Sequence, residues 1–266
     1  MSDSPRPADA ATPPLSATAL GDGGRSRELR AILRIFVRNR PALAGAIVLI
    51  GMGVVAAFAP WVAPADPLLP NLTLEGAFQP PSWGHVAGTD HLGRDVLSRT
   101  IFGARVAWQV VIVAIGLAVG IGVPLGLLAG YVGGKLDELV IMRIVDAVMM
   151  MPGLVLVLAI TAALGPSLTN TMLVVGVIWS PAYARLARGV VLSIKQEVYV
   201  EAARAVGAPP ARIMRRHLLP NVVAPVFVLA SLSAASIILL EAALSFIGAG
   251  VQPPTPAWGG MVSSAY

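Results

Sequence analysis

The chain has 266 residues, of which 56% are apolar and only 12% charged, with a mean hydropathy of +0.77. That balance excludes a soluble globular domain and describes a polytopic membrane protein. The net charge of +5 does not imply nucleic acid, because the basic residues cluster beside apolar runs, as the cytoplasmic flanks of membrane spans do. The absence of cysteine also excludes disulfides and thiolate metal sites.

Residues 1–40 are expected to form a disordered, basic cytoplasmic tail. Residues 1–24 are rich in Ala, Pro, Ser, Thr, Asp and Gly without an apolar period, and Arg25, Arg27, Arg30, Arg34, Arg38 and Arg40 follow against Glu28 alone. Residues 41–62 hold the first span, since 42–59 carry no charge and can cross about 30 Å of hydrocarbon, with Trp61 at the far interface. Residues 63–105 are a Pro- and turn-rich loop on the periplasmic or extracellular side, leading into an interfacial helix. His85, Asp90, His91 and Asp95 fall in this loop, but adjacent Asp90 and His91 fix no common face, and no metal site is assigned.

Residues 106–266 form the core. The uncharged run 106–134 places Gly122, Gly126, Gly130 and Gly134 four residues apart, with Gly116 and Gly120 as a second pair. Such a stripe lets a helix approach closely, either within the chain or from a partner. Pro124 is expected to bend this span. Lys135, Asp137, Glu138 and Arg143 mark a cytoplasmic turn, and Arg143 with Asp146, three residues on, is expected to form a structural ion pair. The uncharged run 147–184 is too long for one span and divides at LGPSLTN, residues 164–170. Trp179-Ser180-Pro181 is expected to interrupt the second of these spans before Arg185 and Arg188 return it to the cytoplasm. The fifth span, 218–240, brings Glu241 about 30 Å along, to the outer boundary. An ionisable group there is a functional-site hypothesis, and Glu241 and Trp179 are the candidates for a pathway or gate. Residues 257–266 are too few to cross a bilayer, so five spans and an outer C-terminus are expected, from either a truncated chain or a five-span variant.

Between the fourth and fifth spans lies the loop 194–220. Val198, Ala202, Ala205 and Val206 share a helical stripe, with Lys195, Glu197, Glu201 and Arg204 elsewhere on the wheel. Gly207 suits a helix end with positive φ, and Pro209 and Pro210 suit the first turn of a second helix. That helix carries Arg212, Arg215 and Arg216 and meets Pro220 as the next apolar run begins.

Glu201-Ala202-Ala203, Gly207 and Leu219-Pro220, at these spacings, resemble the EAA loop of ABC importer permeases. The general pattern has Ile where His217 stands, and RRHLLPN is similar to the dipeptide, oligopeptide and nickel branch. GTDHLGRDVLSRTIFGAR at 88–105 and EAALSFIGAGVQPPTPAWGGM at 241–261 resemble the same branch, so the likeness covers residues 82–261. Glu241-Ala242-Ala243 repeats the triplet without the later glycine and Leu-Pro, and is not the coupling motif.

The resemblance implies an all-α helical bundle, the type I importer transmembrane fold, of which the family has six spans. It further implies a multi-pass protein of the bacterial inner membrane with a cytoplasmic N-terminus. The partners would be a homologous second permease, two ATP-binding subunits, an extracytoplasmic substrate-binding protein and membrane lipid, but no nucleic acid. Glu201 and Arg204 would contact the ATPase, Ala202 and Ala203 would allow close approach, and Gly207 would set the turn. His217, Leu219 and Pro220 would seat the second helix. The cargo would be peptides or a related small solute such as a nickel chelate or glutathione.

The chain has no GxxxxGK[ST] loop, since Gly133-Gly134-Lys135 is followed by Leu136, and it has no HExxH or GxSxG. It therefore reads as a transport subunit, not an enzyme, with no cofactor of its own; ATP would belong to partner subunits. The alternative is a secondary transporter or channel subunit without an ATPase. It needs intramembrane ionisable groups, of which only Arg143, Asp146 and Glu241 are on offer, all near span ends.

Overall fold

The computed structural model describes residues 37–70 and 76–265, so residues 1–36 of the tail expected over residues 1–40 lie outside the described residues, while Val37, Arg38 and Arg40 at its end are helical rather than disordered. The chain divides into two units, Met1–Gly51 and Met52–Tyr266. In chain order the helices are α1 (Arg40–Ala57), α2 (Ala59–Val62), α3 (Val96–Val132), α4 (Gly134–Leu136), α5 (Met142–Met150) and α6 (Gly153–Leu164). They are followed by α7 (Leu168–Ile194), α8 (Val198–Ala205), α9 (Pro210–Ile213), α10 (Leu219–Phe246) and α11 (Trp258–Ser263). Wide π-helical turns at Asp137–Ile141 and Met214–Leu218 join α4 to α5 and α9 to α10. No strand occurs among the described residues, only an isolated bridge between Thr89 and Asp95.

α1, α3 and the continuous helix Pro210–Phe246 are long and apolar enough to cross a membrane, and α5 with α6 makes a fourth, broken crossing. α7 spans about 40 Å. It is less apolar than α3 and α10, yet it packs against both, and its Thr171 and Ser180 are buried in protein while Thr169 and Ser193 near its ends are exposed. Of the five expected crossings, α1, α3 and the Pro210–Phe246 helix are matched by length and apolarity, a fourth if the bent α5–α6 pair is one span, and α7 does not meet that measure.

α3 and α7 run in the same direction and form the central seam. Gly122 lies against Ser180 and Tyr183, Gly126 against Ala184 and Ala187, and Gly130 against Arg188 and Val191. A Cβ at Gly126 would fall 2.3 Å from the Ala184 carbonyl oxygen, so nothing larger than hydrogen fits. Contact between spans gains no hydrophobic term in lipid and rests on close packing, which small residues permit. This settles one half of the glycine stripe as internal. Gly116, Gly120 and Gly134 have nothing within 4 Å of an added Cβ.

Proline decides where two sequence expectations change. The third crossing bends by 92° between α5 and α6, where Met151 is extended and Pro152 caps α6. A residue before proline is pushed out of the α region, so residues 147–164 cannot form one straight span. Conversely, Trp179-Ser180-Pro181 does not interrupt α7, which is unbroken from Leu168 to Ile194. Pro181 leaves the Val177 carbonyl without its usual amide donor, and the Ser180 hydroxyl donates to that oxygen at 2.8 Å instead. The turn expected at 164–170 is present: Gly165 ends α6 with φ +87°, and Ser167 caps α7 by accepting from the Asn170 amide.

At the outer end, α3 begins within what sequence alone reads as loop. Asp95 caps it, accepting from the Ser98 N–H at 2.7 Å, and its other oxygen lies 3.0 Å from His85 Nδ1. Asp90 accepts from the N–H groups of Leu92 and Arg94 and from Arg94 Nε, while Arg99 lies 3.5 Å from the same carboxylate and donates to the Pro67 carbonyl. Burial disfavours the charge on both aspartates, but these N–H donors and neighbouring side chains outweigh it and hold both carboxyls below the ordinary aspartate range. α11 closes this end: Trp258 donates from Nε1 to the Thr100 carbonyl and covers Gly103, and Gly259 rests on the Ala242 carbonyl.

Candidate functional site

The loop between α7 and α10 is built as helix, glycine turn, helix. α8 ends where the Ala208 N–H bonds back to the Ala203 carbonyl and the Gly207 N–H to that of Arg204, a closure that puts Gly207 at φ +77°. Nothing lies within 4 Å of a Cβ added there, so the demand for glycine comes from the backbone angle alone. Pro209 then caps α9 and Pro210 occupies its first position, where the missing N–H costs nothing.

Pro220 does not end the second helix. The wide turn Met214–Leu218 opens the ladder ahead of it, and helix continues from Pro210 to Phe246. The Asn221 side-chain amide donates to the His217 carbonyl at 2.6 Å, and the His217 ring faces Tyr199 at 6.1 Å between centroids. Leu218 is fully buried, with Leu219 partly buried beside it.

α8 presents its faces unequally. Val200 is fully buried and packs with Val191, Ile213, Leu218 and Val222, with Ala203 partly buried beside them. The stripe marked out by the sequence points the other way: Val198 is 79% and Val206 83% exposed, and Ala202 and Ala205 are exposed between them. Glu201 is also exposed and makes no ion pair among the described residues. Arg204 reaches back over the Tyr131 ring, 5.3 Å from its centroid. Lys195 Nζ donates to the Gly130 carbonyl at 3.0 Å. Arg204 thereby fastens α8 to the inner end of α3, and Lys195, at the end of α7, joins the two seam helices there.

Two ion pairs brace the same end. Arg188 grips Asp137 with Nε 2.7 Å from Oδ1 and a second contact to Oδ2, while Asp137 is almost wholly buried. Arg185 pairs with Asp146 at 2.6 Å. The expected Arg143–Asp146 pair is therefore corrected. Tertiary packing brings α7 alongside α5, and the carboxylate meets the arginine of the neighbouring helix rather than the one on its own. Opposite charges at the inner ends of consecutive runs, Asp137 and Asp146 against Arg185 and Arg188, were the available signal.

The two pathway candidates are not brought together by any hydrogen bond among the described residues. Trp179 is partly buried, packs against the apolar core and lies 3.9 Å from the Cβ position of Gly153. Glu241 is 2% exposed. It accepts from the Ser245 hydroxyl at 2.7 Å, and the Ser245 oxygen accepts in turn from the Val251 N–H at 3.0 Å. A relay thus ties the carboxylate to the chain leaving α10. No grouping of three or more metal-ligating side chains occurs among the described residues.

Known proteins resemble this chain over most of its length. Residues 122–266 match the family model described as the binding-protein-dependent transport system inner membrane component. Residues 29–81 match the N-terminal TM domain of oligopeptide transport permease C. The di/tripeptide transport system permease protein DppC of Pseudomonas aeruginosa is 42% identical over 243 residues, covering 89% of this chain and 79% of that protein. The probable D,D-dipeptide transport system permease protein DdpC of Escherichia coli is 41% identical, covering 82% and 72%. The glutathione transport system permease protein GsiD of Escherichia coli is 40% identical, covering 87% and 76%.

Proposed function

This chain belongs to the family of binding-protein-dependent transport system inner membrane components, and from that premise we propose how it works and what it carries. It is a transmembrane permease subunit of an ABC importer, and the similar proteins are transport subunits rather than enzymes. Its cargo in this reading is a short peptide, a class that embraces the di- and tripeptides, D,D-dipeptides and glutathione after which the similar proteins are named. Its partners are a homologous second permease, two ATP-binding subunits that hold the ATP, and a substrate-binding protein on the outer side. The N-terminus faces the cytoplasm, a reading supported by the arginine-rich segment ahead of α1.

One observation carries the mechanism: α8 buries Val200 in its own chain yet exposes Val198 and Val206 on the opposite face. An apolar stripe of this kind on an inner loop suits a groove on another subunit. Movement of the ATPases displaces α8. The displacement passes through Lys195 and Arg204 to α3, and through the shared core of Val191, Ile213 and Val222 to α7 and α10. The bundle then alternates between outward and inward access. Glu201 contacts the ATPase, Ala202 allows close approach, and Trp179 and Glu241 lie on moving helices as candidates for the pathway. Uptake by right-side-out vesicles that contain all the membrane and ATP-binding subunits, with the binding protein outside and ATP inside, tests this reading. Peptide accumulation should require ATP and survive collapse of ion gradients; accumulation that follows the gradient alone contradicts it.

A further inference from the structure

Arg212, Arg215 and Arg216 line, with Ala211, one open depression of about 470 Å³. All three side chains are exposed, and none makes an ion pair with a described carboxylate. Three like charges around one hollow repel, so the arrangement favours an anion between them. Guanidinium forks match phosphate oxygens in pairs.

The height of the depression selects the anion. The three arginines precede Leu219 by three to seven residues on one continuous helix, which places them about 4 to 10 Å ahead of the apolar run. The headgroup layer is about 5–8 Å deep on each side of the hydrocarbon. Directly beyond them α10 exposes Val223, Phe227 and Val228, at 55%, 72% and 61%, the side chains an acyl chain would cover. A cationic hollow followed along the same continuous helix by exposed apolar side chains fits one molecule with an anionic head and hydrocarbon tails. We propose that Arg212, Arg215 and Arg216 bind the phosphate headgroup of an anionic phospholipid, anchoring the base of α10 beside the coupling loop.

The proposal rests on the membrane orientation given above but not on the ATPase contact of α8. The test uses the assembled transporter in bilayers of mixed phosphatidylcholine and phosphatidylglycerol, with spin-labelled forms of each lipid as probes. Replacing the three arginines together, R212Q/R215Q/R216Q, should lower the preference for phosphatidylglycerol at least about fivefold. The triple lysine variant, which keeps the charge that orients the span, should retain most of it. An unchanged preference in the glutamine variant overturns the proposal. If the ATPase subunits are lost while the lipid preference stands, the arginines belong to the subunit interface instead. Should the glutamine variant fail to insert, R212Q, R215Q and R216Q singly carry the same test, each with a partial loss expected and no loss in any of them contradicting it.

Discussion

The outer segment ahead of α3 and the inner loop after α7 are both polar, turn-rich stretches at span ends, yet the chain treats them oppositely. Outside, Arg94, Asp95 and Arg99 are each 7% exposed or less, and every one is bonded within the chain. Inside, Glu201 and three arginines have no described ion-pair partner, and Val198 and Val206 stand in the open. The charged groups at the base of α3 complete one another, although Phe78 and Trp83 stand exposed nearby, whereas those of the inner loop have the surface of an interface whose other half is elsewhere. Polar composition alone does not separate the two; satisfaction of each group does.

The largest effect should come from breaking the self-contained side. Asp90→Ala leaves Arg94 and Arg99 facing each other without their shared carboxylate, at a cost of about 3 kcal/mol or more. The purified protein should lose several degrees of thermal stability in detergent, and an unchanged midpoint would show that the outer network is not structural. On the inner side, Gly207→Val forces a β-branched residue to φ +77° at a cost of about 1–2 kcal/mol, borne by the turn alone. Insertion should be normal and uptake should fall at least tenfold, while Gly207→Asn, which tolerates that angle, should keep most of it. Equal uptake in the Val variant would remove the turn from the mechanism.

The smallest effect separates the regions by pH. Asp90 and Asp95 have carboxyls held below the ordinary value of 3.8, so their stabilisation is complete above that value and lost as pH falls through it and below. Protection of the Thr89 and Ser98 amides, taken relative to the intrinsic exchange rate at each pH, should fall below about pH 4. Protection at Val200, in the other region, should not fall with it; joint opening would contradict the division.

Much of this arrangement was legible in the residues. The apolar runs marked α1, α3 and α10, the spacing of Glu201, Gly207 and Leu219-Pro220 marked the helix–turn–helix loop, and Gly122, Gly126 and Gly130 marked a seam. The wheel also identified Val198 and Val206 as one stripe, but periodicity says only that residues share a face. Which face α8 buries depends on Val191 and Val222, distant in sequence. Proline had opposite outcomes at two positions, of which only Pro181 was expected to break a helix. Pro152 bends the chain because nothing restores its neighbour to the helix, while Pro181 is accommodated because Ser180 supplies the missing donor. The partner of Asp146 likewise depended on which helix packs beside α5, a fact of tertiary contact that local spacing cannot carry.

The central claim, that the exposed stripe of α8 is the half-interface through which ATP hydrolysis is coupled, is tested most directly by retention of the ATPase. Val198→Ser with Val206→Ser removes the outward stripe and leaves buried Val200 untouched, so stability should change by less than about 0.5 kcal/mol. The account predicts that the native chain retains the ATPase on purification in mild detergent and that the double variant, with unchanged melting, loses it. Full retention by the double variant would contradict the account.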